Sequence, residues 1–513
     1  MGFLPKVVLS CHINQEVLFL RSDLVLLTTT RCFDGSTPVH AAAFSCNQWN
    51  LSKLIDAGGD LRLHDQECRT PYAWAIMSGK DRNVQMLEFI KSCSGHMKAL
   101  LQCFPYKAFM KVDSSSFLIR NPSIIGLISQ GNFDKPLSKY LKYGGISTNT
   151  MYGFGYGKLY LTITGRLEFF GTIPFVEEKY LVQGDDKLSF SYPAGPYMTM
   201  TSLLWGCTEV TVKELNILAH DACSKLRFVD LLIAEQEYLS KLHHPNLIQL
   251  IAVCVPPDLE IIRLVFERVT LGSLYSVLHE RRSEFPILHM ETLVHLLLQM
   301  TDALLFLHYR GYIHRSLTSH AVQIFSAGLA KISHFEYMIE SKDGGTHSDL
   351  THFPIPMQLY NWLAPEVILG KTVTAKCDIY SFCAITQESL TDTLPWDGLD
   401  GNSIKAALIA GHNLTADIRL SKPYDYIVST GIQPKPKDRL VNLQDIRCML
   451  KNYLKEIIES KKSKPDKLSI QNLYPEISIG LQPRTEISRE LHVQDKEQAD
   501  IIANGNGVQS LHH

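Results

Sequence analysis

The chain has 513 residues, of which 45% are hydrophobic and 20% are charged, and its formal net charge is −2. This length allows about three domains, and the composition is that of a folded protein rather than a mostly disordered one. A charge so close to zero gives no global field that would attract nucleic acid or anionic lipid. We therefore expect protein partners that recognise local surfaces, and no nucleic acid.

The sequence contains no long uninterrupted apolar run. The longest candidate, 293–307, is broken by His295, Gln299, Thr301 and Asp302, which predicts a buried helix rather than a membrane-spanning one. Twelve cysteines at irregular spacing are far below the density of a disulfide-stabilised domain. We therefore expect a cytoplasmic protein with reduced thiols and no membrane insertion.

A short motif recurs with the period of ankyrin repeats. The sequence T-P-V-H-A-A begins at Thr37, and T-P-Y-A-W-A begins 33 residues later at Thr70. Thr37 suits a helix N-cap, Pro38 suits the first helical position, and the small alanines allow a second helix to pack closely. The pattern predicts two ankyrin repeats within 31–100, with Thr37 and His40 in structural roles.

The second helices of these repeats are predicted near 51–57 and 84–90. Two repeats do not bury a sufficient core alone, since at least about three are usually needed. We expect the exposed face to be covered by a divergent cap in 1–30 or by the domain that follows the connecting segment 101–144.

From about residue 145, motifs occur in the order and spacing of a protein kinase. Lys213 ends V-T-V-K, Glu235 lies in an apolar helical pattern that leads into H-P-N, and L-V-F-E places Phe266 where kinases have the gatekeeper residue. Further along, A-P-E contains Glu366 and D-I-Y-S-F begins at Asp378. These motifs resemble the protein kinase family.

The resemblance implies a bilobal α+β fold over 145–458, followed by a polar tail, 459–513. It also implies an ion pair between Lys213 and Glu235, which positions nucleotide phosphates in active kinases. Arg439 lies where kinases pair an arginine with the glutamate of A-P-E, so we expect a structural salt bridge with Glu366. The expected fold class is thus multidomain, with all-α ankyrin repeats before a kinase-like fold.

The catalytic positions of the family are degenerate in this chain. Ser316 stands where kinases have the aspartate that accepts the substrate's proton, and a hydroxyl has no basicity near neutral pH. Ala321 replaces the asparagine that holds the second Mg²⁺. His334 and Glu336 replace the aspartate and the glycine of D-F-G, and imidazole is a poor ligand for Mg²⁺. No cysteine or second histidine lies near His334 at ligand spacing, so no metal site is predicted.

Two stretches compete for the role of the glycine-rich loop. The first contains Gly153, Gly155 and Gly157, but Gly157 lies 56 residues before Lys213, whereas the family needs a separation of roughly 15 residues. Counting back that distance leads to a second stretch in which only Gly195 remains. We favour the second register, with 145–192 as an extension of the small lobe. In either register ATP binding, if present, would be weak and independent of Mg²⁺, and no cofactor is required.

Ankyrin repeats followed by a degenerate kinase domain resemble a family of inactive serine/threonine kinases. The likeness extends to short sequence motifs such as K-E-L-N at Lys213, H-E-R-R at His279 and Q-L-Y-N-W at Gln358. It implies a germ-cell scaffold that keeps intercellular bridges open by blocking the end of cytokinesis, with a further role at kinetochores. Midbody, bridge or kinetochore proteins would then be the partners, and those structures the location.

Two functions remain in competition. One is a catalytically inactive scaffold that binds proteins, and the other is a weakly active or nucleotide-sensing kinase. The changes at Ser316, Ala321 and His334 favour the first. Lys213 and Glu235 are the residues that favour the second, although an inactive kinase fold can keep that pair to fix its C-helix.

Overall fold

A computed structural model describes residues 31–103, 150–160, 175–256 and 261–462, apart from short gaps at 33, 80–82, 153–154, 177, 185–189, 217–221, 286–288, 327 and 342–346. The segment predicted as a cap, 1–30, lies outside the described residues. So do most of the connecting segment, 101–144, and most of the tail, 459–513.

The N-terminal part consists of two helix pairs in the arrangement that ankyrin repeats adopt. These helices are α1 (Pro38–Phe44), α2 (Gln48–Asp56), α3 (Pro71–Met77) and α4 (Asn83–Cys103). The first helices of the two pairs, α1 and α3, pack against each other, and each begins with proline after a threonine in extended backbone. The Thr70 hydroxyl accepts a hydrogen bond from the Ala73 N–H at 3.4 Å, which is the local chemistry expected of a helix start.

His40 joins the two repeats. Its side chain is completely buried, and Nδ1 accepts a hydrogen bond from the Thr37 N–H at 3.2 Å. Because Nδ1 is thereby an acceptor, Nε2 carries the proton and donates to the Arg69 carbonyl at 3.0 Å. Burial lowers the pKa of His40 to about 4. The ring is therefore neutral and makes a hydrogen bond from each side.

Helix α4 is longer than the sequence pattern predicted. The expected end lay near Ile90, but the helix continues to Cys103. Met86, Ile90, Cys93 and Met97 recur every three or four residues and are all buried, so one apolar stripe continues past the predicted end. The predicted connecting segment therefore begins as helix.

The small lobe of the kinase fold is a curled, mostly antiparallel sheet. Its strands run in the order β3–β8–β9–β7–β6–β4, with β5 also paired to β6. A separate hairpin, β1 with β2, precedes it. The elements of this lobe are β1 (Thr150–Tyr152), β2 (Lys158–Tyr160), β3 (Phe175–Val176), β4 (Leu181–Val182), β5 (Ser191–Pro193), β6 (Met198–Trp205), β7 (Thr208–Leu215), helix α5 (Ala222–Leu239), β8 (Leu250–Cys254) and β9 (Arg263–Glu267).

The large lobe is mainly helical. Helix α6 is long and apolar enough for a membrane span by those two criteria, but it packs against β13 and α11 in the lobe's core. The elements are β10 (Gly272–Ser273), α6 (Met290–Tyr309), β11 (Tyr312–Ile313), β12 (Val322–Ser326), β13 (Leu329–Ile332), β14 (Ile339–Ser341), β15 (His347–Asp349), α7 (Pro365–Ile368), α8 (Lys376–Thr391), α9 (Gly401–Ile409), α10 (Tyr424–Gly431) and α11 (Leu443–Lys462). The bilobal α+β fold is confirmed, and the N-terminal helices are consistent with ankyrin repeats.

The last helix crosses the predicted start of the tail. Residues 459–462 belong to α11, because Met449, Tyr453, Leu454 and Ile457 form a helical stripe that packs on the core.

The kinase-like part covers one face of the helix pairs α1–α4, which we call the ankyrin-type unit. The Arg31 guanidinium donates to an Asp230 carboxylate oxygen on α5 at 2.7 Å, and the His64 N–H donates to the same oxygen at 3.0 Å. Buried apolar side chains of both parts, including Leu61 and Ile233, belong to one continuous core. The repeats thus rest directly on the outer face of α5.

The neutral form of His40 makes a pH-dependent contribution to stability. Its pKa is about 4 in the fold against 6.5 for an unperturbed histidine. The unfolded chain therefore binds the proton more readily, so this stability is complete above about pH 6.5 and falls by about 3 kcal/mol as the pH drops to about 4. Urea unfolding at neutral pH and at about pH 5 should show about 2 kcal/mol of this loss. His40→Gln should remove it, and the exposed His412→Gln is the matched control. An unchanged loss in His40→Gln would contradict the assignment.

Candidate functional site

Lys213 lies at the centre of the cleft between the lobes. Strand β7 is buried on both faces from Val210 to Lys213. Val210 and Val212 lie on one face in a small apolar cluster, whereas Lys213 lies on the other face, and the pairing of β7 with β9 places it opposite Leu264. The ammonium group is completely buried. Lys213 Nζ donates to Glu235 Oε2 at 2.6 Å and to Glu336 Oε2 at 3.0 Å. One cation therefore holds two carboxylates that are distant from each other in sequence.

Glu235 also anchors the segment that replaces D-F-G. Its second oxygen, Oε1, accepts a hydrogen bond from the Phe335 N–H at 3.2 Å. Phe335 is buried, and the short helical turn Phe335–Tyr337 packs directly against α5. Helix α5 consequently lies inward against the cleft. In active kinases this position brings the glutamate to the phosphate-binding lysine.

At the centre of the cleft, the two carboxyl groups of Glu235 and Glu336 share the single ammonium group of Lys213. Burial by itself lowers the pKa of Lys213, but the nearby Glu235 and Glu336 outweigh it, and the pKa lies above its ordinary value. Burial raises the pKa of Glu336 to about 7, and the attraction of Lys213 offsets that only in part. The lysine is thus held in its charged form, with its charge directed to protein carboxylates.

The catalytic loop offers no base at the position of the family's aspartate. Ser316 is buried, and its Oγ lies 3.5 Å from the backbone carbonyl oxygen of His314. Ala321 is buried as well, and its carbonyl accepts hydrogen bonds from the N–H and the hydroxyl of Ser333 at 2.8 and 2.9 Å. Ala321 carries no side-chain oxygen that could bind Mg²⁺, and the Ser316 hydroxyl is not a base near neutral pH.

His334 occupies the position of the metal-binding aspartate in left-handed backbone, with φ of 63°. Burial, and next the charge of Lys213, hold the pKa of His334 well below its usual value, so the ring is neutral. Its buried Nε2 has no hydrogen-bond partner among the described residues. Within the same part of the chain, no group of three His, Cys, Asp or Glu side chains could hold a metal ion.

The two glycine stretches lie at different places. Gly155 and Gly157 lie in the loop between β1 and β2, beside the ankyrin-type unit; the Gly155 carbonyl accepts from the Leu61 N–H at 2.7 Å. A Cβ atom on Gly155 would lie 2.5 Å from a methyl carbon of Leu61. Gly153 lies outside the described residues. Gly195, in contrast, forms the turn between β5 and β6 above the cleft, with φ of +80°.

The structural residues anchor the large lobe. Asp378 accepts hydrogen bonds from the N–H groups of His314 and Arg315 at 2.9 and 2.8 Å and from His308 Nε2 at 2.8 Å. Arg439 binds Glu366 in a bidentate, buried ion pair with distances of 2.6 and 2.7 Å. The contacts that hold the catalytic loop in place are therefore present.

Two acidic contacts were not found by sequence reasoning. Glu336 was noted only as a missing glycine, yet it reaches Lys213. Asp349, in the activation segment, accepts a hydrogen bond from Arg315 at 2.8 Å. In kinases, phosphorylation orders this segment through new arginine contacts. A carboxylate at the glycine of D-F-G was the sequence signal for the first contact, and nothing local marked the second.

Comparison with known proteins found a family model that matches part of the chain and several similar proteins. The kinase family model, described as protein tyrosine and serine/threonine kinase, matches residues 202–450. The chain is 54% identical over 463 residues to the inactive serine/threonine-protein kinase TEX14 of mouse, and 53% identical over 463 residues to that of cattle. Each alignment covers 90% of this chain but only 32% and 31% of the relative. The chain thus spans about a third of the length of these relatives.

A more distant relative aligns with most of the chain. The mouse serine/threonine-protein kinase TNNI3K is 24% identical over 450 residues, which is 82% of this chain and 46% of that protein.

Replacement of the shared cation should cost more than replacement of either carboxylate. Lys213→Met leaves two buried carboxylates without a cation, and loss of one partner of a buried pair typically costs about 3 to 5 kcal/mol. Glu235→Gln should cost clearly less, because Lys213 keeps Glu336. Urea unfolding measures both. Lys241→Met, which removes a half-exposed pair with Glu237, is the control and should cost less than about 1 kcal/mol. Equal costs for Lys213→Met and Lys241→Met would contradict the shared-cation arrangement.

Proposed function

We propose that this chain, whose residues 202–450 belong to the protein kinase family and whose close relatives are inactive kinases, acts as a non-catalytic scaffold that binds proteins. The observation that carries the proposal is a contrast within one domain. The positions that perform chemistry hold Ser316, Ala321 and His334, whereas the pairs that hold the fold together are intact.

The chemistry of phosphoryl transfer supports this reading. A kinase aligns the substrate hydroxyl with an aspartate and neutralises the phosphates with Mg²⁺. Ser316 cannot accept a proton near neutral pH, and a neutral His334 is a weak ligand for Mg²⁺. Glu336, two residues after His334, carries a carboxylate, but that carboxylate is bound to Lys213 of the small lobe.

We also propose the cellular role that the resemblance implied. The order of ankyrin-type helices and degenerate kinase domain, and the identity to TEX14 across 90% of the chain, support a germ-cell scaffold that keeps intercellular bridges open and acts at kinetochores. Its partners would be midbody, bridge or kinetochore proteins, and it would be found in the cytoplasm and at those structures.

Two measurements on the full chain test the scaffold role. Purified protein with Mg-ATP or Mn-ATP should transfer no phosphate to itself or to a general protein substrate. Proximity labelling in dividing germ cells should mark bridge, midbody or kinetochore proteins. Ser316→Ala should mark the same set, because a scaffold does not need that hydroxyl.

The contradicting results are equally specific. Phosphate transfer that disappears in Lys213→Met would show that the chain is an enzyme. A labelled set that lacks bridge, midbody and kinetochore proteins would contradict the cellular role.

A further inference from the structure

We propose that the kinase-like cleft is closed from within, so that side chains of this chain occupy the places where a nucleotide would bind and ATP is excluded. This inference goes beyond the scaffold role, because a scaffold can also bind nucleotide. It rests on four groups of contacts along the cleft. They lie between the two lobes, in the segment after β9, around Lys213, and at the entrance beside α5.

At the inner end of the cleft, Tyr192 links the small lobe to the large lobe. Tyr192 on β5 donates its phenolic hydrogen to Gln323 Oε1 on β12 at 2.7 Å, and both side chains are buried. The Gln323 amide nitrogen donates to the His320 carbonyl and the Ser333 hydroxyl at 2.8 and 3.1 Å, which fixes Oε1 toward the tyrosine. Burial raises the pKa of Tyr192, so the phenol keeps the proton that it donates. A planar ligand between the lobes would have to break this bridge.

In the segment that follows β9, which corresponds to the kinase hinge, the backbone N–H of Val269 already has a hydrogen-bond partner. The Val269 N–H donates to the Thr211 hydroxyl at 2.8 Å, and both residues are buried. Thr211 stands two residues before Lys213, on the face of β7 that borders the hinge. A ligand that needed this N–H would leave the threonine hydroxyl buried without its partner, which disfavours binding.

At the phosphate end, the cation is already neutralised. Lys213 is bound by Glu235 and Glu336 at hydrogen-bonding distances. A nucleotide phosphate would therefore have to compete with these two carboxyl groups for the one ammonium group. A cavity at this end, lined by Gly195, Ser316 and His334 among others, has about 20 Å³ of room for the centres of water molecules. That volume holds about one or two waters.

The entrance is covered by three aromatic rings from three elements. Tyr197, in the loop that follows Gly195, stacks on Phe228 of α5 with ring centroids 4.1 Å apart. Phe353 of the activation segment packs on Phe228 at 5.0 Å and on the edge of Tyr197 at 6.4 Å. The loop that covers phosphates in kinases is thereby attached to the helix and to the activation segment.

The unaltered full chain gives the direct test. Millimolar ATP, with Mg²⁺ or with a chelator, should leave the melting temperature unchanged, since a ligand that binds the folded state stabilises it by mass action. Equilibrium dialysis with labelled ATP should find no bound nucleotide. Stabilisation by ATP, or bound ATP that excess unlabelled ATP displaces, would overturn this inference and leave the scaffold role standing.

A gain of binding tests the mechanism of closure. Tyr192→Val, Thr211→Ala and Glu336→Gly together remove the bridge, the hinge contact and the second carboxylate. This triple variant should bind ATP with a dissociation constant at least about tenfold below the weakest one that the same dialysis would detect for the unaltered chain. Adding Lys213→Met should abolish the gain, because the freed cation is then absent.

The fold of the triple variant must be checked by its circular dichroism. A folded triple variant that binds no ATP would refute closure by these contacts. If the triple variant does not fold, Tyr192→Phe with Glu336→Gln removes only the hydroxyl and the second charge, and the same comparison of ATP affinities applies.

Discussion

Lys213 is a buried cation shared by two carboxylates, and the arrangement of the small lobe depends on it. Removing three charged groups from water is expensive unless they pair closely, so β7, α5 and the turn Phe335–Tyr337 are held together. The outer face of α5 is fixed by a second buried set, in which Asp230 binds Arg31 and His64. Helix α5 is thus attached on one side to the cleft and on the other to the ankyrin-type unit.

At two sites of the kinase-like fold, a carboxylate of this chain stands where an active kinase has a phosphate group. Glu336 supplies to Lys213 the negative charge that nucleotide phosphates supply in an active kinase, and Asp349 supplies to Arg315 a charge of the kind that activation-segment phosphorylation supplies. The Arg31 guanidinium also donates to the Leu350 carbonyl at 2.7 Å. Protein carboxylates in both positions favour one fixed conformation, which is consistent with the scaffold role that we propose.

The sequence predicted what depends on local pattern and fixed spacing. The period of 33 residues located the repeats, and motif order predicted the bilobal fold together with the partners Lys213 and Glu235. It did not predict the partner of Glu336, because Lys213 lies 123 positions away and only the fold brings them together. The bond between Arg31 and Asp230, which spans 199 positions, was missed for the same reason. The length of α4 was underestimated because its apolar stripe continues beyond the repeat motif.

The inward position of α5 and the proposed closure of the cleft should need no ligand. Amide hydrogen exchange of the full chain, with and without Mg-ATP, tests it most directly, since exchange reports the opening free energy of each segment. We expect slow exchange in α5 and at Phe335–Tyr337 that is the same in both conditions, and faster exchange there in Lys213→Met. Rapid exchange of these segments in the absence of nucleotide, slowed by Mg-ATP, would contradict the account.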